Sequence, residues 1–264
     1  MKYGLCLEMA LTDRPFEDRI RIAADNGFKF GEMWFVDATY KGTPENLAKT
    51  AAACGLKLTN TVIAPPDASF GGGLVDPAKR DLWLERTRMT LDFNQRAGIP
   101  MTVVCTGNAI AGMTARDMRQ SVVEGLKRTV DLAEKAGITL LLEALNTRYD
   151  HAGYWLDSSD LGAEVVREVG SERLRLLFDC YHMQIMEGDL INHIRRNLDV
   201  IGHFHSAGVP GRFELFKGEV DYRFVIGEIA RMGYGGVFGL EYQPSMDGEI
   251  SLRESLSYLA GVKL

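Results

Sequence analysis

The chain has 264 residues, 46% of them hydrophobic and 25% charged, which is the balance of a globular protein and excludes a disordered or collagen-like one. Its 36 acidic and 30 basic side chains leave a net charge of -6, which argues against a nucleic-acid partner, since such proteins carry a basic excess or stripe. No window approaches roughly 18 uncharged apolar residues, and Glu8 interrupts the N-terminal apolar stretch, so neither a membrane span nor a secretory leader is expected.

From the N-terminus onward, short apolar runs rich in β-branched residues alternate with longer segments of helical period, the pattern of βαβ units and a parallel sheet. The first run, Tyr3–Glu8, is followed by a helix that Pro15 opens and Gly27 ends. Phe28–Trp34 leads into a helix opened by Thr43-Pro44-Glu45 and ended by Gly55, and Lys57–Ile63 into a long one opened by Asp76-Pro77 and ended by Gly98. Met101–Thr106 precedes a helix running from Thr114 to Gly137; Thr139–Leu145 precedes one from Ser158 or Ser159 to Gly170. The last three runs, Leu174–Cys180, Ile201–Ser206 and Val237–Tyr242, are followed by helices near Leu190–Leu198, Tyr222–Met232 and Leu252–Leu259. Proline or a hydroxyl or carboxylate cap at the start and glycine just past the end are the expected helix termini.

Eight strand–helix units at this length predict an α/β protein, a single (β/α)8 TIM barrel domain over residues 1–264. An open doubly wound sheet would carry a Gly-rich phosphate loop after its first strand, and there is none. Gly71-Gly72-Gly73 follows the third strand without the GxGxxG spacing or a lysine, and reads as a flexible βα loop. The four cysteines, Cys6, Cys54, Cys105 and Cys180, form no CxxC pair; free thiols in apolar runs fit a reducing compartment, and the cytoplasm is expected. Oligomeric state, a homo-oligomer included, is left open.

Working residues of such a barrel come from the C-terminal ends of its strands. The fifth run ends on Glu143, the sixth on Asp179 with His182 three residues on, the seventh on His203 and His205, and the eighth on Glu241. A carboxylate in a run such as Leu140-Leu141-Leu142-Glu143 needs a partner to stay ionised. Any one of these acids alone is as readily a helix cap or an arginine partner. Converging together, Glu143, Asp179, Glu241 and an imidazole make a site that suits Mg2+ or Mn2+, with Co2+ or Zn2+ as further fits, and not an all-cysteine zinc. His203 and His205 point to the same side of their strand. His205, nearer the strand end, is the expected ligand and His203 the expected interior histidine. Trp34, Phe35, Phe70, Tyr154 and Trp155 either shape a small pocket or pack between helices and strands.

At these positions the sequence resembles the hydroxypyruvate isomerase family, within the xylose-isomerase-like barrels that also include ketose 3-epimerases and the apurinic endonuclease fold. EALNTR at Glu143–Arg148, LLFDCYHMQIMEGDL at Leu176–Leu190, GHFHSAGVPGR at Gly202–Arg212 with Gly218-Glu219 after it, and FGLEYQP at Phe238–Pro244 carry the likeness. It implies a divalent metal held by Glu143, Asp179, the residue at 205 and Glu241, with Glu143 and Glu241 as acid and base on either side of the substrate. It also implies that His182 and Arg212 contact substrate oxygens, and that the reaction interconverts a small α-hydroxy carbonyl compound of the hydroxypyruvate and tartronate semialdehyde type through a cis-enediolate. Histidine at 205 stands where the hydroxypyruvate isomerases this chain resembles tend to have glutamine; ketose epimerases and the endonuclease use histidine there. The loop NTRYDHAGYWLDSSD also departs from the family's usual run.

A proton beside a carbonyl becomes removable when the oxygen charge of the resulting enediolate is neutralised, which a divalent ion bridging two substrate oxygens does. Ketose 3-epimerisation uses the same chemistry and is the nearest alternative, with a dehydratase or decarboxylase of a related keto acid next. A non-catalytic sugar-binding barrel is more distant, as is a phosphodiester-cleaving endonuclease, which needs several metals and a histidine-rich cluster where this chain has five histidines in all.

Overall fold

The computed structural model describes residues 1–69 and 73–262. Nine strands among them form one all-parallel sheet: β1 (Lys2–Cys6), β2 (Phe30–Glu32), β3 (Lys57–Leu58), β4 (Asn60–Val62), β5 (Met101–Val104), β6 (Thr139–Glu143), β7 (Leu174–Asp179), β8 (Ile201–Ser206) and β9 (Val237–Leu240). The order is β3-β2-β1-β9-β8-β7-β6-β5-β4. Its two ends are a single run of chain, interrupted at Thr59, so the ring closes: Met33 N–H donates to the Asn60 carbonyl at 3.2 Å and Val62 N–H to the Trp34 carbonyl at 2.9 Å.

The expected eight-stranded barrel is therefore present, and the ninth strand comes from the division of the run Lys57–Ile63. Its first half pairs with β2 and its second half with β5, so the chain changes partner at Thr59, whose hydroxyl donates to the Gly31 carbonyl at 3.2 Å. Leu140, Leu141 and Leu142 are all fully buried, as strands covered on both faces require, which is why these runs show no polar alternation. Each such leucine contributes about 1.5–3 kcal/mol by leaving water.

Nine helices are described: α1 (Phe16–Asp25), α2 (Pro44–Ala53), α3 (Arg80–Ala97), α4 (Ala115–Ala136), α5 (Ser159–Val169), α6 (Cys180–Met186), α7 (Leu190–Asn197), α8 (Tyr222–Arg231) and α9 (Gly248–Ala260). Thr43 and Thr114 act as the expected caps, and of Ser158 and Ser159 it is Ser158 that caps: the three accept from backbone N–H groups of the first turns of α2, α4 and α5. Several expectations need correction. Residues 77–79 form a 3-10 turn before α3, and α9 begins at Gly248, not near Leu252, because Asp247 caps it by accepting from Ile250 N–H. Helix α6 was not expected at all; it follows β7 with no connecting loop, Cys180 is its first residue and not a strand residue, and Asp179 ends the strand and caps the helix at once.

All four cysteines are free thiols, with Cys6, Cys105 and Cys180 buried. No described helix is long and apolar enough to cross a membrane. Phe70, Gly71 and Gly72 lie outside the described residues. A Cβ on Gly73 would stand 2.8 Å from the Thr106 carbonyl, so only glycine fits where this loop presses on the end of β5.

The loop after β8 is anchored by Glu214, fully buried, whose carboxylate accepts from Ser245 N–H and Oγ at 3.0 and 2.7 Å and from Ser251 Oγ at 2.8 Å. Burial raises its pKa, but these hydrogen bonds outweigh it and hold the group below its ordinary value. A folded-state pKa below the unfolded one stabilises the fold above about pH 4.3 and ceases to do so as pH falls through the lower folded value. Glu214→Gln is therefore expected to cost about 1–3 kcal/mol at pH 7, with the difference from wild type shrinking in acid. Urea midpoints from pH 7 down to 3 check this, and a gap that stays constant with pH would show that the charge is not involved.

Candidate metal centre and active site

Four neighbouring strand ends bring the expected groups together. Glu143 is the last residue of β6, Asp179 the last of β7, His205 lies in β8 directly opposite Asp179, and Glu241 follows β9. All four are at most 7% exposed, and one ligand-type atom from each lies within 4.8 Å of the others. A divalent ion stands roughly 2.0–2.4 Å from each of its ligands, so atoms on opposite sides of one ion are up to about 4.8 Å apart. This set fits that requirement.

Individual atoms divide the work. Asp179 Oδ1 accepts from Tyr181 N–H at 2.7 Å and His182 N–H at 3.4 Å, while its buried Oδ2 has no hydrogen-bond partner. Asp179 thus caps a helix with one oxygen and keeps the other for the site. His205 Nδ1 stands 3.7 Å from Glu143 Oε1 and 3.5 Å from Glu241 Oε2, and its Nε2 is 2.8 Å from Glu32 Oε2. The imidazole is therefore backed by a carboxylate on one nitrogen and presents the other to the acids, the arrangement that orients metal-binding histidines.

Glu32 escaped the sequence reading. It ends β2, is 1% exposed, and its Oε1 lies 2.8 Å from His203 Nε2, so it links the two histidines of β8. The signal was there: Phe30-Gly31-Glu32-Met33-Trp34 embeds an acid in an apolar run just as the fifth strand does. Gly239 makes the contact possible, because a Cβ there would be 2.6 Å from Glu32 Oε1 and 2.8 Å from His205 Cδ2. His203 is fully buried as expected for an interior histidine, and it stands outside the four-residue group, in a second one with Glu32 and His205.

The electrostatics follow from crowding three acids in a dry site. Burial raises Glu143, and lifts Asp179 to about 7. For Glu241 burial acts the same way, but His205 and Arg212 hold it well below the usual carboxylate range. Glu32 comes down to about 2 because its two histidines outweigh burial. Burial alone would depress His205, yet Glu241 and Glu32 push it well above its ordinary value. Four carboxylates, Glu32 included, face the Arg212 guanidinium and the His205 imidazole, a deficit of positive charge that a divalent cation would offset.

Arg212 is no surface arginine. It sits in the loop after β8 with its side chain 17% exposed, donates from Nη2 to Glu241 Oε2 at 2.5 Å, and lies over the Tyr181 ring at 5.0 Å. His182 accepts at Nδ1 from the backbone N–H and the Nδ2 of Asn146, at 3.2 and 2.7 Å. Its proton is therefore on Nε2, which is buried without a partner 3.6 Å from Asp179 Oδ2.

These groups open into a cavity of about 180 Å³, which Trp34, Phe35, Val62 and Val103 also line. Trp34 Nε1 donates to Glu241 Oε1 at 2.9 Å, so two of the expected pocket aromatics do line the site. Tyr154 works behind it, bonded through its hydroxyl to Thr106 N–H and the Glu143 carbonyl, and Trp155 packs against the core. A wider recess of about 800 Å³ at the mouth, with Arg148, Tyr149 and Tyr181 on its sides, shares Arg212.

Residues 20–261 match the family model of the xylose isomerase-like TIM barrel. A Cupriavidus necator protein named 2-oxo-tetronate isomerase is 32% identical over 245 residues, which are 92% of this chain and 93% of that one. Escherichia coli hydroxypyruvate isomerase is 28% identical over 255 residues, 96% of this chain and 97% of that one. Among solved structures, one described as an AP endonuclease, family 2, from Brucella melitensis superposes with a TM-score of 0.89 at 25% identity, covering 97% of this chain and 98% of that one.

Proposed function

The chain belongs to the xylose isomerase-like TIM barrel family and is an isomerase, and we propose that it interconverts short hydroxy-oxo acids of the hydroxypyruvate or 2-oxo-tetronate kind in a metal-dependent reaction. The observation that carries this reading is the convergence of Glu143, Asp179, His205 and Glu241 on one ion-sized gap at the edge of a small, largely apolar cavity. These four residues would hold the cation, with Glu32 behind His205. When bound, it supplies positive charge that stabilises negative charge developing on the substrate's carbonyl and hydroxyl oxygens.

The chain's own groups do the rest. Glu143 and Glu241, both lining the cavity, are the acid–base pair: one carboxylate takes a proton from the hydroxyl-bearing carbon, and the C–H electron pair becomes the double bond of a cis-enediolate. The proton then returns to the former carbonyl carbon while the hydroxyl proton moves to the former carbonyl oxygen, leaving substrate and product isomeric. His182, with its proton on Nε2, is placed to donate to one of these oxygens, and Arg212 holds the substrate's anionic end. Trp34 and Phe35 limit water around the reacting carbons. The Brucella structure raises phosphodiester cleavage as a rival; a cavity of about 180 Å³ and a net charge of -6 favour a small molecule over a duplex.

Incubating metal-loaded protein in D2O with hydroxypyruvate, 2-oxo-tetronate and a panel of ketoses, with NMR detection, tests the reading. Deuterium on the two carbons that form the enediolate of an oxo acid is the expected result. Exchange confined to C3 of ketoses would replace it with a 3-epimerase, and exchange in neither class would overturn it.

A further inference from the structure

One polar side chain in the cavity takes part in neither the metal site nor the proton transfers. His151 lies in the loop between β6 and α5, fixed by its N–H on the Asn146 carbonyl at 3.1 Å and by its own carbonyl, which accepts from Tyr154 N–H at 3.0 Å. Its ring stands 5.4 Å from the His182 ring and lines the cavity beside Arg212. Among the described residues neither of its ring nitrogens has a hydrogen-bond partner, although the ring is half-buried. Burial, joined by the charge of Arg212, lowers its pKa, so near pH 7 the ring is neutral and carries a single N–H.

Two other donors with no partner in the protein lie beside it. His182 Nε2 has no partner, and Arg212, which spends Nη2 on Glu241, has Nη1 to spare. The cavity therefore presents a cluster of hydrogen-bond donors, one of them charged, in a lining to which Trp34, Phe35, Val62 and Val103 contribute mostly carbon. A carboxylate is acceptor-only, with about four lone-pair sites, and matches such a cluster; a hydroxyl brings a proton of its own and no charge for the guanidinium.

We propose that His151 is a specificity-determining residue, which together with Arg212 Nη1 grips the substrate carboxylate, leaving His182 Nε2 to the reacting oxygens, and so selects hydroxy-oxo acids over neutral ketoses of the same length. The inference rests on the isomerase reading above and deepens it by naming the group that is recognised. It also gives a purpose to the stretch of chain where this sequence departs from the family it resembles.

Calorimetric titration of Mn2+-loaded protein with glycerate, a hydroxy acid that cannot be isomerised, tests it. His151→Leu is expected to weaken glycerate binding by about tenfold or more, the loss of one hydrogen bond to a charged group, while Mn2+ affinity stays unchanged. His151→Gln, which keeps an N–H donor, should recover most of the loss. In turnover, the preference for hydroxypyruvate over 1,3-dihydroxyacetone should fall in His151→Leu by the same factor. Unchanged glycerate binding in His151→Leu would overturn the proposal, as would Mn2+ affinity falling in step with it, which marks a structural role. Should His151→Leu not fold, His151→Phe carries the same test. Wild-type protein that exchanges no deuterium with any oxo acid or ketose would instead count against the isomerase reading, and the glycerate comparison separates the two failures.

Discussion

Glu143→Gln should lower kcat by about a hundredfold to ten-thousandfold, the usual contribution of a positioned acid or base, with the melting temperature little changed. Glutamine fills the same volume, so the buried strand end keeps its packing, and the Tyr154 hydroxyl bonds the Glu143 backbone carbonyl, which the substitution leaves in place. What is lost is a group able to take up and return a proton beside the cavity. Glu241→Gln should fall in the same range, but with an added loss of order, because Glu241 Oε2 also receives Arg212 Nη2 and Oε1 receives Trp34 Nε1. Steady-state kinetics with circular dichroism on both variants check this. Near-native kcat in either one would remove proton transfer from that residue.

Removal of divalent ions by excess chelator should abolish turnover, and Mn2+, Mg2+ or Co2+ should restore it. The physical basis is the orphaned Asp179 Oδ2 and three carboxylates in a site at most 7% exposed, with one guanidinium among them. Activity that persists in excess chelator would contradict metal dependence. Glu32 makes the expectation sharper. Its carboxylate, 2.8 Å from His205 Nε2, fixes which imidazole nitrogen faces the acids, so Glu32→Gln should weaken metal affinity by about tenfold to a hundredfold. Competition with a metallochromic dye measures it directly, and an unchanged affinity would reduce Glu32 to a packing partner of His203.

Much of this site was legible because its acids interrupt apolar strand runs. Leu140-Leu141-Leu142-Glu143 has no alternation, so the strand is covered on both faces and its terminal acid cannot simply reach solvent. The same mark identified Asp179 and Glu241 and was overlooked at Glu32, whose run is shorter and whose partners, His203 and His205, lie 171 and 173 positions further along the chain. His182 and Arg212 were named through resemblance to a family, and the structure brings both to the cavity. His151 carried no signal, since a lone histidine in a loop of varied composition has no periodicity to betray it.

Helix α6 was invisible for a related reason. Seven residues, Cys180–Met186, are too few for a 3.6-residue period to emerge from an apolar stretch continuous with the strand before it. The strand–helix alternation, the caps at Thr43 and Thr114, and the strand ends at Glu143 and Asp179 were determined by the sequence alone, because each depends on residues within a turn or two of one another. Tertiary structure alone decided that Thr59 splits a strand where the ring closes, that Asp179 shares its oxygens between a helix and the site, and that Glu32 stands behind His205. Those outcomes depend on which atoms meet across a closed barrel, and a one-dimensional pattern carries no record of that.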